Sequence, residues 1–445
     1  MLRNYSYAAA GQFVSVALAV VALAIVTRSM GPANYGSYII LTTIVTLLAT
    51  FAAAGPQAAA LIVSSREPDR RGVLHGQILV ATTALLVVTL VAAVTLAQPL
   101  ARFVAPTLAP ELAAVNLLRL PPLVYASLVT SQLSGAGRIG LAASLAVVSA
   151  VVAMLGPVGA LVAADPLAGA VVGTVLAGYL TAIISWVFAT GALGLRRPGD
   201  FAAWRSALSI AVPMHVGTIA YSMMLRLDLL VVNAVLGRHD AGIYGLALGV
   251  SQRVGMLTAP LYNATAWRVS GPDRSAALRT MLQVTRLETT FGILAAIGGV
   301  LLGPLLVQVV AGADYSAASL PLAILIVGAA ALPVWAAVGL YLVAHLGGAW
   351  TTARLQVLVA LASLVGYLIM TRIAGTVGAA AVSTGAYLVL LACGLTLIRR
   401  ADAFPWRALI PTPEIARLRA LVGRAPRKPL ENTGTGDHPL DPPAV

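Results

Sequence analysis

The sequence predicts an all-α, polytopic membrane protein with about 12 transmembrane helices in two six-helix lobes around a central cleft. Three observations predict it. First, 59% of the 445 residues are hydrophobic and only 10% are charged, whereas a soluble domain carries about 25% charged residues; the mean hydropathy is +0.92. Second, apolar runs near or above roughly 18 residues recur along the chain, as helical spans require. Barrel strands would give shorter, alternating segments. Third, the chain repeats a turn signature at a fixed offset, which organises the spans into two sets.

The runs place spans at 7–29, 35–63, 73–97, 112–134, 141–164, 168–194, 207–236, 241–267, 287–311, 318–346, 354–372 and 376–398. The first follows Arg3 and ends in Thr27-Arg28-Ser29-Met30, with no small-x-small cleavage pattern, so it is expected to stay as a span. The seventh is longer than about 20 residues and must tilt, bend or protrude. Beyond Arg399 the chain turns polar and rich in Arg and Pro. Residues 401–445 are expected to form a cytoplasmic tail, partly disordered, in which 413–424 reads as a solvated basic stretch or an interfacial amphipathic helix.

Orientation follows from arginine. With the N-terminus cytoplasmic, the cytoplasmic loops hold Arg66, Arg70, Arg71, Arg138, Arg196, Arg197, Arg205, Arg268, Arg274, Arg279, Arg354, Arg399 and Arg400. The opposite loops hold Arg102, Arg238 and Arg372. That asymmetry obeys the positive-inside rule and accounts for the net charge of +13. The basic residues lie between apolar runs, not along one face among aromatics, so nucleic acid is not an expected partner. The single cysteine, Cys393, excludes a disulfide framework.

The repeat links Met30–Tyr38 (MGPANYGSY) to Leu236–Tyr244 (LGRHDAGIY). Gly31, Gly36 and Tyr38 match Gly237, Gly242 and Tyr244 at a constant offset of 206 residues. The glycines are expected to serve as turn residues, and the tyrosines as interface anchors. Both sets begin on the same side, which makes a parallel repeat of the kind rocking transporters use. The expected boundaries are 1–200 for the N-terminal lobe and 201–400 for the C-terminal lobe.

Charges inside the spans mark the expected site. If the seventh span ends near Ala234, Arg226 lies roughly 12 Å and Asp228 roughly 9 Å below its outer end. Arg119, beside Pro121 and Pro122, has a similar depth; Arg253 lies near mid-membrane, and Arg28 closes the first span. Such charges face protein or a water-filled cavity. Arg226 and Asp228 are roughly 200° apart around a helix and do not pair with each other. Asp228 either pairs with Arg253 on the next helix or serves elsewhere. The arginines outnumber this one deep acid, and a guanidinium fork suits phosphate. The set therefore reads as a cationic cleft for a phosphate-bearing substrate, with Arg28 either a member or a snorkelling interface residue. Glu288, beside Arg286, reads as an interface marker. His75, His215 and His345 read as helix-end residues, with proton coupling the alternative. No nucleophile–base set, nucleotide loop or metal-ligand cluster appears, so neither an enzyme nor a cofactor is expected. GAGRIG (135–140) follows a span rather than a strand and reads as a short turn.

These motifs resemble the polysaccharide-flippase branch of the multidrug/oligosaccharidyl-lipid/polysaccharide exporter superfamily. The resemblance rests on MGPANYGSYIIL after the first span, Gly55-Pro56 before a basic loop, and LRLDLLVVNAVLGRHDAGIYGLAL at 225–248. It covers roughly residues 1–400. It implies a V-shaped cavity and alternating access in a bacterial plasma (inner) membrane, with both termini cytoplasmic. It implies a polyprenyl-phosphate-linked glycan as substrate, carried from the cytoplasmic to the outer leaflet on undecaprenyl phosphate or pyrophosphate. Membrane lipids, and a glycan polymerase or glycosyltransferases, are the other implied partners. Arg226, Arg119, Arg253 and Arg28 become candidate substrate contacts, and Asp228 a group that orients an arginine or couples to a cation. Cation-coupled drug exporters of the same superfamily commonly carry an acid in the first span, and none stands between Tyr5 and Val26. A major-facilitator transporter would want a glycine ahead of Asp69-Arg70, which SSREPDRRG (64–72) lacks.

Overall fold

The computed structural model describes residues 2–199 and 202–409, with side chains described outside 2–10, 202–210, 254–260, 263–264, 267 and 408. The basic stretch at 413–424 and the rest of 410–445 lie outside the described residues. Among the described residues every regular element is a helix. In chain order these are α1 (Leu2–Arg66), α2 (Arg71–Val104), α3 (Pro110–Leu117), α4 (Leu120–Gly135), α5 (Ile139–Val152), α6 (Leu155–Val162) and α7 (Pro166–Leu193). The second half follows with α8 (Ala202–Met224), α9 (Leu227–Leu236), α10 (Arg238–Val269), α11 (Arg274–Ala311), α12 (Ser319–Ala329), α13 (Ala331–His345) and α14 (Gly348–Asp402).

Nine described stretches are long and apolar enough to cross a membrane. Their outer faces carry the apolar side chains that lipid requires: Val94 is 83% exposed and Leu301 73%. α1 is broken at Gly31 (φ 67°, ψ 171°), and α14 at Ala374 and Gly375. Gly237 repeats the Gly31 geometry with φ 90° and ψ 177°, between α9 and α10. A side chain is strained at such angles, so glycine is required at both turns. Gly36 and Gly242 are not turn residues as expected. Each lies inside the helix that follows its turn.

Four expected spans are interrupted, one of them, the tenth, at Ala330 between α12 and α13. The fourth is split between α3 and α4 at Leu118–Arg119, where Pro121 and Pro122 withhold two backbone donors. The fifth is split at Ala153–Met154 and the seventh at Leu225–Arg226. At the seventh, no proline is responsible. The freed carbonyls of Met224 and Leu225 accept instead from Tyr367 Oη (3.2 Å) and Gln252 Nε2 (3.4 Å), so the break is held by side chains from α14 and α10.

The interior falls into three apolar clusters. One draws on residues between Val45 and Ala211, one on residues between Ala220 and Phe404, and one, around Tyr35, Ile40, Leu229 and Tyr244, on both halves of the chain. The halves also meet through reciprocal contacts that keep the 206-residue offset. A Cβ added to Gly36 would lie 1.8 Å from the Arg238 carbonyl oxygen, and one added to Gly242 would lie 1.9 Å from that of Pro32. Only glycine permits so close a crossing. Nearby, Arg28 donates from Nε to the Val310 carbonyl (3.2 Å) and from Nη2 to that of Val309. On the other side of the pseudo-dyad, Asn233 Nδ2 donates to the Phe103 carbonyl at 2.9 Å. Phe103 and Val309 stand at the same offset as Gly36 and Gly242. The Gly31/Gly237 end of the molecule is therefore closed by matched backbone-to-backbone crossings and two side-chain clasps.

Candidate functional site

Behind this closure lies a cavity of about 360 Å³, lined by Ser15, Tyr38, Thr42, Thr46 and Thr174 and by Arg119, Arg226 and Arg253. A second cavity, of about 530 Å³, adjoins it. Ala19, Leu23, Tyr35, Ile39, Arg226 and Arg253 line both, and Gln252, Tyr262 and Glu288 line the second. Three arginines that are far apart in sequence thus share one wall system.

The local chain explains why each arginine faces inward. Arg119 and Arg226 occupy the two helix breaks, at α3–α4 and α8–α9. An interrupted helix frees its residue from the cylinder of the span and lets it project into the interior, as in transporters with broken helices. Among the described residues neither guanidinium has a side-chain hydrogen bond or ion pair. Arg253 is anchored: it donates from Nη2 to the Ala19 carbonyl (3.0 Å) and from Nη1 to the Gly249 carbonyl. A Cβ at Gly249 would come 3.2 Å from Nη1, so glycine there makes room for the guanidinium. Arg253 Nε is buried with no hydrogen-bond partner among the described residues. Guanidinium is a donor-only group. Arg119 and Arg226 have no hydrogen bond or ion pair among the described residues, so the cavity presents their donors and positive charge to whatever enters it.

Arg28 is not part of this set. Its guanidinium is spent on the carbonyls at the end of α11. Asp228 does not pair with Arg253. Its carboxylate is buried and accepts from Tyr244 Oη (2.7 Å), Ser383 Oγ (2.9 Å) and the Leu229 amide (2.7 Å). Tyr367 extends the network to Ser383 (3.1 Å) and to the Met224 carbonyl at the helix break. The network ties α9 to α10 and α14 within two residues of Arg226. Tyr244, expected at the interface, is fully buried for the same reason.

Glu288 is no interface marker: it is 1% exposed and lines the second cavity. Each of the three histidines is held by a hydrogen bond, His75 buried and His215 and His345 half-buried, with His345 at the end of α13. His75 Nε2 lies 2.9 Å from Tyr125 Oη, His215 Nδ1 accepts from the Gly55 amide at 2.9 Å, and His345 Nε2 lies 2.9 Å from the Val269 carbonyl. Among the described residues no group of three or more His, Cys, Asp or Glu side chains is placed to hold a metal. Sequence reasoning missed the hydroxyl wall of Ser15, Thr42, Thr46 and Thr174. The i, i+4 spacing of Thr42 and Thr46 in an apolar run was its available signal.

The fold is shared with solved transporters. A structure titled "Lipid II flippase MurJ, inward closed conformation" superposes with a TM-score of 0.72 at 13% identity, covering 90% of this chain and 88% of that one. An inward-facing multidrug resistance MATE family transporter of the MOP superfamily gives 0.68 at 14% identity, covering 87% and 95%. A MOP superfamily transporter from Pyrococcus furiosus, whose title reports a reversed polarity of its binding pocket, gives 0.58 at 13% identity, covering 90% and 95%. No curated protein matches the chain by sequence. A family profile described as "Polysaccharide biosynthesis protein" matches residues 1–266. With more than half of its length matched and the fold of the MurJ and MATE transporters, the chain belongs to the polysaccharide biosynthesis protein family.

Proposed function

We propose that the protein is a flippase for a polyprenyl-phosphate-linked glycan. It carries an undecaprenyl-phosphate- or pyrophosphate-linked precursor from the cytoplasmic to the outer leaflet of a bacterial plasma membrane by alternating access. The observation that carries this reading is the convergence of Arg119, Arg226 and Arg253 on one cavity, two of them without a hydrogen bond or ion pair among the described residues. Such a cavity favours a phosphate and opposes an organic cation, which sets this reading above drug export by a MATE-like cycle.

In the proposed cycle the chain crosses the membrane twelve times and works as two lobes, 1–200 and 201–400. The Gly31/Gly237 end faces outward and is closed in the conformation described. The phosphate binds the arginines from the cytoplasmic side while the lipid tail stays in the bilayer. Outward opening separates the Gly36–Gly242 crossing and the Arg28 and Asn233 clasps. Arg28 acts in this closure rather than on the substrate. Asp228 is assigned an orienting role, because its network holds the break from which Arg226 projects. A ligand shifts such an equilibrium only through contacts that differ between the states.

The test is a binding comparison on purified protein by native mass spectrometry, with undecaprenyl pyrophosphate and undecaprenol as probes. The pyrophosphate is expected to bind at least about tenfold more tightly, and Arg226→Gln to remove most of that preference. Equal binding of the two lipids, or a preference untouched by Arg226→Gln in a well-folded protein, would reject the phosphate site.

A further inference from the structure

The cavity has a second chemical asymmetry, and it bears on which glycan the site accepts. Seven hydroxyl side chains line the smaller compartment, and five of them have their proton engaged by the protein. Ser15 donates to the Gly11 carbonyl (2.9 Å), Thr42 to that of Tyr38 (3.0 Å) and Thr46 to that of Thr42 (2.7 Å). Thr174 donates to the Ala170 carbonyl at 2.6 Å. Its proton is then used, so the 3.0 Å contact between Tyr38 Oη and Thr174 Oγ1 has Tyr38 as the donor. A hydroxyl has one proton and two lone pairs. Once the proton is held by the helix, only lone pairs remain for a ligand.

The wall is therefore divided by function. The arginines supply donors and positive charge, Tyr35 and Thr43 have no hydrogen bond among the described residues and keep an O–H to give, and Ser15, Tyr38, Thr42, Thr46 and Thr174 supply acceptors. A phosphate is acceptor-only and matches the first part. The second part matches a group rich in O–H or N–H donors. A carboxylate on the sugar would bring further lone pairs against lone pairs.

We propose that the cavity selects a neutral, hydroxyl-rich sugar next to the phosphate and discriminates against an acidic one. This rests on the flippase reading above and narrows it to a substrate class. Thr42 and Thr46 act as specificity-determining residues through their acceptor oxygens. A donor-bearing sugar gains hydrogen bonds to these half-buried acceptors that a carboxylate does not, which is expected to separate neutral from acidic head groups by about tenfold.

The experiment uses the full-length protein in liposomes with three radiolabelled probes: undecaprenyl pyrophosphate bearing glucose, the same lipid bearing glucuronate, and the lipid without sugar. A membrane-impermeant pyrophosphatase reports arrival in the outer leaflet by one chemistry for all three. The glucose probe is expected to cross about tenfold faster than the glucuronate probe. The near-isosteric double variant Thr42→Val/Thr46→Val is expected to bring that ratio close to one by slowing the glucose probe. Equal crossing of the two glycolipids by the wild-type protein, faster crossing of glucuronate, or a ratio unchanged by the double variant would overturn the specificity assignment while leaving the flippase reading in place. Failure of all three probes to cross would overturn both.

Discussion

Gly242→Ala tests the closure at the Gly31/Gly237 end. The added methyl carbon would stand 1.9 Å from the Pro32 carbonyl oxygen, with the Gly36 amide nitrogen at 3.0 Å. Both neighbours are backbone, so no side chain is available to turn away. Restoring an ordinary contact of about 3.4 Å requires α10 to withdraw from α1 by about 1.5 Å, and overpacking of this kind costs about 1–3 kcal/mol. If the penalty falls only on the closed state, the closed-to-open ratio drops about 5- to 150-fold. The assay places a cysteine at Thr46, in the cavity, with Cys393 replaced by serine, and follows labelling by a membrane-impermeant maleimide from the Gly31/Gly237 side. Gly242→Ala is expected to raise the labelling rate in proportion to the new open population, and Gly36→Ala, its counterpart at the same offset, to do likewise. Gly385, whose added Cβ meets nothing within 4 Å, serves as the neutral control. Labelling at the wild-type rate in a folded Gly242→Ala protein would refute the idea that this crossing closes the cavity.

Three further outcomes follow from the same geometry. Removing both clasps with Arg28→Ala and Asn233→Ala should also raise labelling from that side, and the double variant should exceed either single one; no change would assign these donors to packing alone. Tyr244→Phe removes a donor to the buried Asp228 carboxylate and should destabilise the protein by about 1.5–3 kcal/mol in mixed-micelle unfolding, against near-zero if the network contributes nothing. Gly249→Ala brings a methyl 3.2 Å from Arg253 Nη1 and should weaken undecaprenyl pyrophosphate binding more than it lowers thermal stability; the opposite order would place Arg253 in the scaffold only.

Much of the architecture was legible because lipid imposes it. Apolar runs of span length, arginine-rich loops and the glycine turns are demands of the bilayer and of backbone sterics, and they appear in one dimension. Arg119 and Arg226 were legible as cavity residues because a charge at that depth must face inward. The break at Arg119 was signalled by its two prolines. The break at Arg226 was not, since it is held by Tyr367 and Gln252 from helices remote in sequence. The same distance hid the partners of Asp228: Ser383 stands 155 residues away, and nothing local distinguishes it from other serines in apolar runs. Glu288, read as an interface marker, lines a cavity, and which of its two readings Arg28 would take was hidden for a related reason. Depth alone does not say which side of a helix faces the carbonyls of α11 and which faces the cavity. Gly36 and Gly242 were found by their repeat, yet read as turn residues, because a contact between two backbones leaves no trace in either segment by itself.

The measurement closest to the central claim is translocation of an undecaprenyl-pyrophosphate-linked oligosaccharide by the purified protein in liposomes, comparing wild type with Arg226→Ala. Substrate arriving in the outer leaflet is read by a membrane-impermeant reagent. The cationic cavity predicts protein-dependent crossing that falls at least about tenfold in the variant while its fold and yield are unchanged. Undiminished crossing by Arg226→Ala would contradict the role of the arginine cavity. No crossing by the folded wild-type protein, together with gradient-driven efflux of a small organic cation, would replace the flippase with a drug exporter.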